Sequence, residues 1–169
     1  MWSFERPRAV FAAAVAVLLA ACTFHLRGQA PLPFETLYIP GNTALVVELK
    51  RNVSAASKTR IVDDPKAAQA LLGFTQEQRE KTILSFNAQG RVSEYRLNYR
   101  VGIRVTDPKG RVYLPTSEIL LTRDMTYSDN QVLAKETEEG LLYRDMQTDM
   151  VQQILRRLVT AKPTTDIAD

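Results

Sequence analysis

Few side chains in this sequence could do covalent chemistry. There is one histidine, His25, and one cysteine, Cys22. An imidazole acting as a base needs an orienting partner, and one holding a metal needs further ligands. His25 has no second histidine beside it, so it reads as a residue packing beside Phe24. Glu136, Glu138 and Glu139 could be imagined as an acid/base set, but they fall at the start of a helical pattern, where capping and the macrodipole account for them. No glycine-rich phosphate loop is present. These absences argue against an enzyme, and no catalytic, cofactor or metal residue is expected.

Recognition chemistry is better supplied. Arg96, Arg100 and Arg104 take alternate outward positions of one strand pattern, each about 13 Å from the next. A guanidinium pairs a phosphate bidentately, so one reading is a surface that meets phosphorylated or acidic headgroups. The other is an ordinary solvated face. Arg91 in a turn, Lys135 ahead of the last helix, and Arg123 on an otherwise apolar strand phase complete the set of candidate cations. The formal net charge of +3 is mild for 169 residues. It argues against a strongly basic nucleic-acid binder and leaves room for a local anionic ligand.

Cys22 has a distinct chemistry because of what precedes it. Arg6 and Arg8 open a leader, an apolar run follows over residues 9–21, and the run ends in Leu19-Ala20-Ala21 directly before the cysteine. This is the layout of an export signal. At about 1.5 Å per helical residue the run covers roughly 20 Å, short of the ~30 Å bilayer core. A cysteine just past two small residues resembles the bacterial lipobox, which implies cleavage before Cys22 and acylation of its thiol and new amine. Two or more acyl chains anchor firmly where one binds marginally. Thr23, rather than aspartate, follows the cysteine, which implies the outer membrane. Acylation would leave no thiol for a disulfide, metal or nucleophile.

The expected elements follow from periodicity. Residues 1–21 are the leader, 22–33 an acylated tether, 34–162 a single domain and 163–169 a flexible tail. Pro31, Pro33 and Pro40 bracket a short first strand over residues 34–39. Asn42 or Thr43 caps a helix over residues 44–57, with Leu45, Leu49, Val53 and Ala56 on one face. Residues 70–86 read as one long bent strand or two collinear ones. Asn87-Ala88-Gln89-Gly90 reverses the chain, and from Tyr95 to Val105 every odd position is apolar, the mark of a strand with one buried face. Asp107-Pro108-Lys109-Gly110 is the next turn. The returning strand changes phase between Leu114 and Ile119, which requires a bulge near residues 115–117, and Pro115 marks it as an edge. Residues 138–161 form the closing helix, with Leu142, Met146, Met150, Ile154 and Leu158 four apart and Pro163 as its stop. The expected fold is α+β: a two-layer sandwich of a four-stranded antiparallel sheet, mixed at the first strand, with two helices on one face.

Cys22-Thr23-Phe24-His25-Leu26-Arg27-Gly28, Ser93-Glu94-Tyr95, Leu133-Ala134-Lys135 and Ile154-Leu155-Arg156-Arg157-Leu158 together resemble the LptE (RlpB) family, the lipopolysaccharide-assembly lipoproteins of Gram-negative outer membranes. The resemblance implies a non-enzymatic, one-to-one partner of the barrel LptD. Such a partner plugs the barrel, supports its assembly and binds lipopolysaccharide on its way to the outer leaflet, from the periplasmic and lumen side. It also implies that Lys135 and Arg123 contact lipopolysaccharide. The family's basic site near the hairpin falls at Asn87, so Arg91, four residues on, is the candidate there. No nucleic acid is expected as a partner. The alternatives are a scaffold lipoprotein of another outer-membrane machine, serving a secretin or general barrel assembly, and a tethered periplasmic hydrolase. Acylation is testable directly: the mature N-terminus is expected to carry fatty acids by mass spectrometry, and Cys22→Ala is expected to abolish both the added mass and the cleavage.

Overall fold

The computed structural model describes residues 31–162. The leader, Cys22, His25 and the tail after Lys162 lie outside the described residues. In chain order the elements are β1 (Thr36–Tyr38), α1 (Ala44–Ala56), β2 (Arg60–Val62), a 3-10 turn (Pro65–Ala67), β3 (Ala70–Phe86), β4 (Val92–Thr106), β5 (Val112–Thr126), a second 3-10 turn (Asp129–Gln131) and α2 (Val132–Thr160). The strands form one sheet in the order β2-β1-β3-β4-β5. β1 runs parallel to both its neighbours, and β3, β4 and β5 form an antiparallel meander.

The sheet thus has five strands where four were expected. The addition is β2, whose Arg60, Ile61 and Val62 pair with Thr36, Leu37 and Tyr38. Three residues are too few to display a period. The other differences are of length. β1 is shorter than residues 34–39, residues 70–86 are one strand, and α2 begins at Val132 rather than near Glu138.

The alternation in β4 decides the layering. Leu97, Tyr99, Val101, Ile103 and Val105 are fully buried, each worth about 1.5–3 kcal/mol in area removed from water. α2 covers them with Met146, Met150, Val151, Ile154 and Leu158, and α1 adds Leu45, Val46, Leu49 and Val53. α1 starts where expected: Thr43 is its N-cap, and its hydroxyl accepts the Val46 N–H at 3.4 Å. Such a cap contributes about 1 kcal/mol. α2 has no side-chain cap, and its first three turns bury little.

Both hairpin turns are built alike. The Asn87 side-chain oxygen accepts from the Gln89 and Arg91 N–H groups at 3.0 Å, and Asp107 Oδ1 accepts from Lys109 and Arg111 at 2.9 and 2.8 Å. Gly90 and Gly110 supply the positive φ, 74° and 89°, that each turn needs. Arg111 Nε adds a 2.8 Å bond to Asp107 Oδ2. That bond, with the backbone donors, holds the Asp107 carboxyl below the usual carboxylate range.

Five irregularities bend the meander. Thr75 is extra between Phe74 and Gln76, Leu84 between Ile83 and Ser85, Ser93 between Val92 and Glu94, Tyr113 between Val112 and Leu114, and Pro115 and Thr116 crowd opposite Arg104. The last is the bulge that the phase change required, and β5 is the sheet edge. The bulge at Thr75 lies over Gly102, where an added Cβ would meet the Thr75 hydroxyl at 2.2 Å and Gln76 Cγ at 3.2 Å.

Two measurements follow from these contacts. Gly102→Ala is expected to lower unfolding free energy in urea by about 1–3 kcal/mol, the usual cost of overpacking, with Thr75→Ala in the same chain recovering most of it. For the hairpin, a depressed carboxyl pKa contributes stability that is full above the unfolded value of about 3.9 and lost as pH falls through the folded value. Asp107→Asn is therefore expected to lower the urea midpoint near neutral pH and to match the parent near pH ~2. A gap of equal size at both pH values would show that the charge is not its source.

Candidate functional site

The end of the molecule that carries the β3–β4 turn gathers three cations. Lys135 lies in the first turn of α2, and its Nζ donates to Glu138 Oε2 at 2.8 Å and to Thr126 Oγ1, at the close of β5, at 3.0 Å. Arg91 follows the turn and lies 3.7 Å from Asp129 in the connection between β5 and α2. Lys81 of β3 bonds Glu139 of α2 at 2.6 Å and sits 4.3 Å from the centre of the Tyr95 ring. Lys81 is not among the candidate cations named from the sequence. Past the bulge at Thr75, Glu77, Arg79 and Lys81 take the strand phase that faces the helices, a shift of phase visible only in the paired strands.

The same end exposes apolar surface. Ile83, Leu84 and Phe86 close β3, while Val132, Leu133 and Leu141 lie on the opening turns of α2. They make up six of the eight large apolar side chains exposed among the described residues, so the apolar surface is concentrated beside the cations. Local causes are visible. α2 runs about four turns before Met146, its first fully buried side chain. The bulge at Leu84 ends the alternation that would hide β3. Apolar surface gathered at one end suits contact with a ligand or partner.

Arg123 sits elsewhere. It faces the helix layer, as its phase requires, but at the free edge of β5. There its guanidinium donates to Asp149 Oδ2 at 2.6 Å and to the Thr122 carbonyl at 3.0 Å. Asp149 is fourteen residues beyond Lys135 in α2, about 21 Å along the helix. The structure therefore brings Arg91 and Lys135 to one end and sets Arg123 apart. An arginine on an apolar phase is satisfied by the acid of α2 and by an edge carbonyl that no strand takes.

The sheet face that the helices leave bare carries the arginine row. Arg96 pairs bidentately with Asp124 of β5 at 2.8 and 2.9 Å, and Arg100 pairs with Glu118. Arg96 holds the Asp124 carboxyl below its ordinary range. These two behave as an ordinary solvated face.

Between the helices and β3 runs a polar seam. Arg79 lies 4.8 Å from the Tyr99 ring centre and 5.4 Å from that of Tyr143, and donates to Gln147 at 2.9 Å. Gln147 and Thr148 both donate to Glu48 of α1. Burial, with the bond to Glu77, raises the Tyr99 phenol well above its usual pKa.

Among the described residues, no three His, Cys, Asp or Glu side chains converge as metal ligands, and no helix is long and apolar enough to cross a membrane. The geometry suits charge pairing and apolar contact at one end of a rigid sandwich.

Comparison with known proteins gives this geometry a family. The family model described as LptE, lipopolysaccharide-assembly, matches residues 34–158. The LPS-assembly lipoprotein LptE of Photorhabdus laumondii is 28% identical over 153 residues, covering 86% of this chain and 82% of its own length. That of Yersinia enterocolitica is 31% identical over 159 residues, covering 86% of this chain and 72% of its own. The solution structure of uncharacterized lipoprotein B from Nitrosomonas europaea superposes with a TM-score of 0.71 at 40% identity, covering 80% of this chain and 90% of that one. The rare lipoprotein B of Shewanella oneidensis shares the fold, with a TM-score of 0.65 at 24% identity over 74% of this chain and 94% of that one. The Photorhabdus and Yersinia relatives are named for assembly rather than for a reaction, in keeping with a role without catalysis. The chain belongs to the LptE family of lipopolysaccharide-assembly lipoproteins.

Proposed function

We propose that this protein is an outer-membrane lipoprotein, acylated at Cys22, that occupies the LptD barrel one-to-one as a plug. In that place it supports the barrel's assembly and binds lipopolysaccharide during delivery to the outer leaflet. On this reading residues 1–21 are removed on export, 22–33 tether residues 34–162 to the membrane, and 163–169 form a flexible tail. A large barrel encloses a lumen that its own side chains do not fill, and a sandwich of one domain fills such a space without any reactive group.

The observation that carries the reading is the mixed character of the hairpin end. Arg91, Lys135 and Lys81 lie beside exposed Ile83, Phe86 and Leu133. A ligand with phosphates next to acyl chains presents the complementary pattern. Arg91 and Lys135 would meet phosphates there, and Arg123 would meet a further anionic group along the β5 edge. Each cation is already paired with a carboxylate, so a phosphate must displace that carboxylate and binding is an exchange of partners. Charge-assisted contacts of this kind contribute about 1.5–3 kcal/mol each.

Lipopolysaccharide capture by the purified mature chain, read by immunoblot against input, tests the proposal. Arg91→Glu and Lys135→Glu are each expected to weaken capture about tenfold or more, with the thermal midpoint little changed at the exposed Arg91 and lowered at Lys135, where Glu138 would face a second carboxylate. Arg123→Glu is expected to weaken capture and also to lower the midpoint, since Asp149 would then face a second carboxylate. Capture equal to the parent in all three variants would remove these residues from the site.

A further inference from the structure

The third arginine of the outer row differs from the other two. Arg96 and Arg100 are neutralised across the strand by Asp124 and Glu118, whereas Arg104 is exposed and its side chain has no ion pair, hydrogen bond or ring contact among the described residues. The register explains why. On β3 its cross-strand neighbour is Gly73, which has no side chain. On β5 the ladder steps from Ser117, opposite Ile103, to Leu114, opposite Val105, so no residue is in register with Arg104.

A hollow lies beside it. Tyr38 of β1, Leu71 of β3 and Thr106 of β4 are in register across three strands, and Gly73 and Arg104 form the next row. With Pro40 they line a depression of about 230 Å³ on the bare face of the sheet. Clefts that enclose small ligands hold roughly 300–1,000 Å³, so this one has room for a single side chain. Its floor is apolar and its rim carries a guanidinium and hydroxyl-bearing side chains.

We infer that Arg104 and this hollow form a docking point for one carboxylate-bearing side chain of the barrel partner. The inference rests on the function proposed above and extends it, since it assigns a contact on the bare sheet face, far from the hairpin end. Charge complementarity selects an acid over a neutral residue, and the small volume selects a side chain over a lipid headgroup. The lumen wall of a bacterial barrel is polar and has acids to offer.

Gly73 makes the test clean. A Cβ there would lie 3.8 Å from the Arg104 carbonyl oxygen, an ordinary van der Waals contact, so the position accepts a side chain and Gly73→Val adds bulk at the hollow. Arg104→Glu reverses the charge, and Lys66→Glu, on an exposed turn away from either surface, controls for net charge. The full-length tagged protein and each variant would be co-expressed with the barrel, extracted in detergent and washed with rising salt, and the retained barrel quantified. Arg104→Glu and Gly73→Val are expected to retain about tenfold less barrel than the parent, and Lys66→Glu the same amount. Full retention by both would overturn the docking point and leave the proposed function standing. Loss of captured lipopolysaccharide with the barrel retained would overturn it in favour of a ligand site. Failure of the parent chain itself to retain the barrel would overturn the function proposed above, and the docking point with it.

Discussion

The contact between the odd-numbered side chains of β4 and the four-residue stripe of α2 places every other element. Leu97, Tyr99, Val101, Ile103 and Val105 meet Met146, Met150, Ile154 and Leu158, all without exposed surface. A slip of one residue would turn the arginines of β4 into this layer and its aliphatics into water, so the register admits no drift. β3 and β5 are pinned on either side by that register, and α1 takes the remaining apolar width beside α2. Because the helices cover one face only, the other must be polar. That demand is what leaves an arginine row facing outward for β5 to neutralise in part.

The apolar core stops short of the hairpin end, and a different kind of contact takes over. On β3 the phase that faces the helices is Glu77, Arg79 and Lys81, which would be costly under an apolar lid. It is accommodated by Tyr99, Tyr143 and Tyr95, whose rings stack on the cations, and by Gln147 and Glu139, which accept from them. Among the described residues no buried side-chain polar atom lacks a partner. Cation–ring contacts contribute about 0.5–2 kcal/mol each, less than a filled aliphatic layer. The end is held together yet free to present Phe86 and Leu133 outward, because its cohesion does not depend on burying them.

Long periods were legible in the sequence and short or relational features were not. The run of odd apolar residues in β4 and the spacing of Met146, Met150, Ile154 and Leu158 each repeat often enough to fix an element and its face. The phase change around Pro115 announced a bulge, and the bulge is there. β2 was invisible because Arg60, Ile61 and Val62 make a strand only by lying beside β1. The early start of α2 was missed because Val132 and Leu133 are exposed, and an apolar residue on no consistent face carries no period. The site divided in the same way. Arg91 and Lys135 could be suspected from type and position, whereas their convergence depends on the β5–α2 connection folding back to Asp129. Lys81 enters only through its pairing with Glu139 across fifty-eight residues. That Arg123 would be taken up by Asp149 was likewise beyond any local pattern.

The ion pairs at the hairpin end bear on how an anion would be received. The Arg91 and Asp129 side chains are 68% and 53% exposed and their charged atoms lie 3.7 Å apart, a pair that water screens and that contributes about 0–1 kcal/mol. Lys135 is 14% exposed and held by two acceptors, so it releases them only to a partner that offers more charge. Arg91 is therefore the cation an approaching phosphate can take first. On the proposed function, Lys135 would then exchange Glu138 for phosphate once the ligand's apolar portion had covered Phe86 and Leu133 and thinned the water between them. Lowering the local dielectric strengthens the new pair as it forms, so apolar and ionic contacts at this end reinforce one another. An anion without acyl chains would find Arg91 and stop there.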